Sequence, residues 1–222
     1  MSVAAQKAYD YLKSQILNGG VPAGEHVPEA EVAASAGVSR TPVREAIRRL
    51  SSEGLLVRRP HLGAVVPTWS QEELEEVFSL RAILETRAAE RAATRISPAD
   101  LDHLVLLADQ MMQAVGPAPE GQRPNDGRAT FAELNGQFHN IIVTAAGSAR
   151  LSSMLEQVIH IPLSVRTIMR YDKEALIRSA GHHIELVSAF RARDSAWAAS
   201  VMRSHVLAAW HAIALEATTR RV

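Results

Sequence analysis

Residues 37–50 restrict the fold more than any other stretch: Gly37-Val38-Ser39-Arg40-Thr41-Pro42-Val43-Arg44-Glu45-Ala46-Ile47-Arg48-Arg49-Leu50. Val43, Ala46, Ile47 and Leu50 recur at i, i+3, i+4 and i+7, the spacing of a helix face turned to a core. Arg40, Arg44 and Arg48 follow at four-residue intervals and form a second, cationic stripe on the same rod. Ser39 or Thr41 is placed to cap the helix N-terminus with a hydroxyl. Pro42 is tolerated in the first turn, where its missing N–H has no intrahelical partner.

The flanking segments give this rod a context. Pro28 to Ala36 reads as a short helix with Val32, Ala33 and Ala36 on one side, and Gly37 stands where such a helix ends in a left-handed residue. Ser51 to Gly54 ends the arginine helix. Leu55 to Arg59 and Ala64 to Val66 then read as two short strands around Pro60-His61-Leu62-Gly63. Residues 2–18 carry Ala8, Leu12, Ile16 and Leu17 at helical spacing and stop at Gly19-Gly20. Helix, turn, helix, hairpin is the order of a winged helix-turn-helix, whose second helix enters the DNA major groove.

Charge supports this reading once it is divided by region. The whole chain is neutral, with 24 basic and 24 acidic residues. From Arg40 to Arg59, however, six arginines face two acids, Glu45 and Glu53. Phosphate affinity comes from local charge, so overall neutrality does not count against a duplex partner.

The run from Gly37 to Ala46 resembles the signature of the GntR family of bacterial transcription regulators. Pro22-Ala23-Gly24-Glu25 and Glu53-Gly54-Leu55 fall in that family's places, so the resemblance spans roughly residues 5–67. It implies that Ser39, Arg40, Thr41 and Arg44 contact double-stranded operator DNA, with Arg48 continuing the stripe. It also implies that Gly63 lets the wing tip approach the minor groove. Ala30 stands where a relative has a DNA-contacting arginine, a departure that bears on the operator sequence.

A capping-box pattern at Ser70-Gln71-Glu72-Glu73 starts a new helix, so the expected domains are residues 1–68 and 69–222. Beyond it the pattern is helical throughout. The expected helices cover about 71–95, Pro98 to Val115 behind a Ser97 cap, 127–146, 149–170 with a bend at Pro162, 174–192 and 195–218. On the first of these, Leu74, Val77, Leu80 or Arg81, Leu84, Ala88 and Ala92 mark the core stripe. Residues 116–124 are a breaker-rich loop. The predicted fold is mainly α: an N-terminal winged helix-turn-helix followed by an antiparallel helical bundle. There are no cysteines, no stretch approaching the ~18 apolar residues of a membrane span and no export signal, so a cytoplasmic location is expected.

Polar residues interrupt the apolar faces of the bundle. Asn135 and His139 lie one turn apart on one helix. His183 shares a stripe with Val187 and Phe190, and His205 shares one with Val201 and Ala209. Three inward imidazoles from three helices can converge in a bundle core and hold a divalent metal, with an oxygen ligand completing the set. Each histidine taken alone also fits a hydrogen-bonded core residue.

Together, Phe131, Asn135, Phe138-His139, His183 and Arg203-Ser204-His205 resemble the FCD ligand-binding domain of the FadR subgroup of GntR regulators. The resemblance implies a divalent metal (Zn, Ni or Mn) on Asn135, His139, His183 and His205, a small carboxylate effector beside it, and a homodimer. The family more often has Asp where Asn135 stands, so the neutral amide predicts weaker metal binding or another metal preference. His182 competes with His183, which is preferred for its apolar stripe. Arg81, set among Leu74, Val77, Leu80 and Leu84, either grips the effector carboxylate in bidentate fashion or pairs with Glu85 one turn on. The leading function is a metabolite-controlled transcription regulator, expected to act as a repressor. The alternative is a metal-dependent hydrolase with an accessory nucleic-acid domain, against which the candidate ligands have no evident general base beside them.

Overall fold

The computed structural model of the chain describes residues 2–17, 19–116, 127–158, 168 and 171–219. They divide into two compact units that meet in the chain between Ser70 and Gln71.

The first unit holds α1 (Val3–Leu17), α2 (Glu29–Ala36), α3 (Arg40–Ser52), β1 (Val57–Arg59) and β2 (Gly63–Val65). Its core joins Leu12 and Ile16 of α1, Val32 and Ala33 of α2, and Val43, Ala46, Ile47 and Leu50 of α3. Gly37 ends α2 in the left-handed region at φ 63°, and its N–H reaches back to the Ala34 carbonyl. That conformation is open to glycine and costly to residues with a Cβ. The strands pair antiparallel with Val57 opposite Val65, and His26 adds an isolated bridge to Val65.

Two local expectations are corrected here. Ser39 occupies the N-cap of α3 in an extended conformation, but its hydroxyl makes no capping hydrogen bond. Leu55 and Leu56 are not in a strand: their N–H groups bond to the Leu50 carbonyl, folding the chain back so that both side chains fill the core.

The second unit holds α4 (Gln71–Arg95), α5 (Pro98–Val115), α6 (Arg128–Ala145), α7 (Ala149–Val158), α8 (Lys173–Arg191) and α9 (Ser195–Thr219). Ser97 caps α5 by accepting from the Asp100 N–H at 3.1 Å, and Asp172 caps α8 by accepting from Ala175 at 2.7 Å. The expected bend at Pro162 and most of the 116–124 loop lie outside the described residues. Phe78, Phe131, Phe138 and Phe190 fill the centre of the bundle.

On α4 the buried face is Phe78, Arg81, Ala82, Glu85, Ala88, Ala89, Ala92 and Ala93. Ala88 and Ala92 are buried as expected, and of the alternatives Leu80 and Arg81 it is Arg81 that is buried, whereas Leu74, Val77 and Leu84 are only half-buried and Leu80 is exposed. Small alanines let α9 pack closely along α4, which brings the polar pair Arg81 and Glu85 inside.

Candidate functional site

The bundle site begins with packing. His139 on α6, His183 on α8 and His205 on α9 sit on faces made inward by Phe131, Phe138, Val187, Phe190, Val201 and Ala209. One ring nitrogen from each lies within 4.8 Å of the corresponding atoms of the other two. His183 and His205 are buried and His139 is nearly so. The ring of Phe138 lies edge-on to His183 at 4.7 Å and limits its rotation.

Hydrogen bonds then set the orientation of two rings. His183 Nδ1 donates to the Ser179 carbonyl at 2.7 Å, one turn back on its own helix. His139 Nδ1 donates to Glu85 Oε2 at 2.7 Å. Both bonds leave the lone pair on Nε2, and both Nε2 atoms are buried without a hydrogen-bond partner, as is Nδ1 of His205. Three unpartnered nitrogens from three helices, two of them fixed by a carbonyl and a carboxylate, match the donor set of a divalent metal site. Burial pushes the pKa of His183 and His205 well below the ordinary 6.5, and the neighbouring imidazoles push the same way. These rings are therefore neutral at pH 7, the form that ligates.

Glu85, expected only as a partner for Arg81, also anchors the ring of His139. It takes His139 on one oxygen and Arg81 Nε on the other at 2.8 Å, and it is buried. Burial pushes its carboxyl up, but Arg81 and His139 together outweigh that and hold it at about 2. Its position four residues after Arg81 was the available signal. Arg81 is thus met from inside the fold by Glu85, with its guanidinium over the Phe78 ring at 4.8 Å.

Asn135 is buried one turn before His139 on α6. His182 is only half-buried, its ring 5.7 Å from that of His205. The triad therefore uses His183, and His182 stays outside it.

In the first unit, Ser39, Arg40, Thr41, Arg44 and Arg48 are all exposed, and so is Gly63 at the turn of the hairpin. Gly63 has φ 76°, and a Cβ there would meet nothing within 4 Å, which leaves room for a close approach. Arg44 Nε pairs with Glu29 of α2 at 2.9 Å in an exposed contact. Arg49 belongs to the fold: it packs over the Tyr9 ring at 3.9 Å and pairs with Glu53. Arg40, Arg44 and Arg48 thus form the exposed stripe of α3, with Arg44 paired to Glu29.

Comparison with known proteins assigns both units. Residues 4–66 match the bacterial regulatory proteins of the gntR family, and residues 76–208, more than half the chain, match the FCD domain. The chain belongs to the GntR family, with an FCD domain. It is 31% identical over 93% of its length, and 87% of the relative's, to the "Probable D-xylose utilization operon transcriptional repressor" of Paenarthrobacter nicotinovorans. It is also 31% identical over 68% of its length to the HTH-type transcriptional regulator YdhC of Bacillus subtilis, spanning 64% of that protein, a little under two thirds. Among solved structures, E. coli McbR/YncC superposes with a TM-score of 0.69 at 22% identity, covering 99% of this chain and 100% of that one, which establishes the shared fold. This GntR chain thus stands among regulators and repressors, and the hydrolase alternative finds no support there. No helix among the described residues is long and apolar enough to cross a membrane.

Proposed function

We propose that this GntR-family chain is a cytoplasmic, homodimeric repressor that releases its operator when a small organic acid enters the FCD bundle beside a divalent metal. The observation that carries the reading is the set of three unpartnered buried nitrogens on His139, His183 and His205. Asn135, one turn from His139, supplies the oxygen donor. A bound divalent ion would offer a Lewis-acidic attachment point for a carboxylate. The protein's own part is to keep the imidazoles of His183 and His205 uncharged by burial, to fix His139 through Glu85, and to surround the rings with buried phenylalanines.

At the other end of the chain, Arg40, Arg44 and Arg48 present an exposed cationic stripe with Ser39 and Thr41 at its head, suited to a major groove. A homodimer places two such helices about one helical turn apart on a two-fold operator. Leu80 and Ile83 are exposed on α4, 41% and 58%, and are apolar side chains that a second copy would cover.

The test is a mobility-shift assay on the gene's own upstream region with zinc-loaded protein. Retardation reversed by one member of a panel of small acids supports the reading. Failure to retard that fragment refutes the repressor, and retardation indifferent to every acid refutes the sensor. Elemental analysis of His139→Ala tests the ligand set: stoichiometric metal in that variant would overturn it.

A further inference from the structure

The hairpin of the first unit carries an apolar side chain that its core does not use. The turn between β1 and β2 is closed by the Leu62 N–H, which donates to the Arg59 carbonyl at 3.3 Å. Pro60 takes the second place of this turn and His61 the third, with φ 65°, where glycine or asparagine is usual. An imidazole is thus kept where a bare hydrogen would suit the backbone better. Leu62 comes next and is 61% exposed, whereas Val65 and Val66 at the base of the hairpin are buried. A lone leucine on a surface is ordinary. This one stands at the tip of a hairpin, between two residues of positive φ, His61 and Gly63. Arg58 and Arg59 behind it are exposed, and residues 57–68 contain no acid.

We infer that Leu62 is a wedge: on the operator it enters the minor groove, slips between two base pairs and bends the duplex. The inference rests on the operator binding described above and adds what the wing does to the DNA. The surroundings of Leu62 decide what covers it. A protein surface that buried the leucine would also have to take up two arginines and a histidine without help from any acid nearby. A duplex meets both needs, with phosphates on the outside for Arg58 and Arg59 and an apolar base stack within. The minor groove is about 6 Å wide, so only a narrow tip enters it. Gly63 keeps the tip narrow, since a Cβ there would stand in open space with nothing within 4 Å. His61 brings a ring N–H to the adenine N3 and thymine O2 acceptors of the groove floor. Parting a stack costs least at the flexible steps TA and CA/TG. Leu62 therefore selects such a step beneath each wing without a hydrogen bond to either base.

The experiment uses the full chain on circularly permuted fragments of the gene's own upstream region. The wild-type complex should migrate as a duplex bent by about 20–90°, and thymines at the parted step should become reactive to permanganate. Leu62→Ala should bind about tenfold more weakly, lose most of the bend and leave those thymines unreactive. Leu62→Met should restore all three. Leu62 is exposed, so both variants keep the fold, which melting curves check. His61→Gly relaxes the turn, so a purely structural histidine predicts no loss; the wedge with its flanking ring predicts weaker binding with the bend retained. Replacing the reactive step by AA should weaken wild type and leave Leu62→Ala unchanged. A wild-type complex without a bend, or a Leu62→Ala complex bent and permanganate-reactive like wild type, overturns the wedge while operator binding stands. If wild type does not retard the fragment at all, operator binding fails and the wedge fails with it.

Discussion

Replacing Glu85 with Gln tests the carboxylate that joins Arg81 to His139. The substitution keeps the shape and removes the charge. Glu85 accepts at 2.8 Å from Arg81 and at 2.7 Å from His139, and both Glu85 and Arg81 are buried. A carboxyl that titrates near 2 in place of 4.5 is held in its charged form by about 3 kcal/mol, at 1.36 kcal/mol per decade. Removing one partner of a buried pair costs roughly 3–5 kcal/mol by an independent route, because the remaining charge is stranded. The two figures agree, so metal-free Glu85→Gln should lose about 3 kcal/mol in urea unfolding at pH 7, followed by far-ultraviolet circular dichroism. The sign has a pH signature. Glu85's contribution is fully present above about 4.5 and is lost as pH falls toward 2, so the gap between wild type and variant should narrow in acid. Zinc affinity should fall about 10–100-fold, since the His139 ring loses the group that fixes its tautomer. A variant within 1 kcal/mol of wild type at pH 7 would refute the argument, because Arg81 would then have another partner.

Arg44→Ala should weaken specific operator binding by about 1–3 kcal/mol if Arg44 reads a base edge, measured by fluorescence anisotropy on matched and scrambled sites; equal loss on both would make it a phosphate contact. Gly37→Ala should destabilise the protein by about 1–2 kcal/mol in urea unfolding, because φ is 63° and the added Cβ would meet only the flexible end of Lys7 at 3.4 Å; a neutral result would mean that the turn relaxes. Metal-free protein should lose stability as pH falls below 6.5: His183 and His205 have depressed pKa values, so the unfolded chain binds protons that the fold excludes. Urea midpoints that stay level from pH 7 to 5.5 would contradict that burial.

Much of this was legible because particular residues leave little choice. Val43, Ala46, Ile47 and Leu50 can share a face only on a helix, and all four are buried. Gly37 was readable because the left-handed turn excludes most other residues. His139, His183 and His205 were readable because each interrupts an otherwise apolar stripe. What failed did so for physical reasons. Leu55 and Leu56 look like strand residues, yet the Leu50 carbonyl captures both N–H groups and makes a turn. On α4 the choice between Leu80 and Arg81 stayed open in the sequence, and the mutual ion pair that lets Arg81 and Glu85 enter the core decides it for Arg81.

The contact between Arg44 and Glu29 has a consequence for how the protein lets go of DNA. If Arg44 meets a phosphate, it does so from a pair with an acid of its own chain, Glu29, which already offsets part of its charge. Its transfer to a phosphate frees little beyond what Glu29 then recruits from solution, and binding should weaken less steeply with added salt than three arginines would suggest. Glu29→Gln should make that dependence steeper, as seen in the slope of log K against log salt. A grip built this way is biased toward exchange, with the protein itself competing for its own recognition helix.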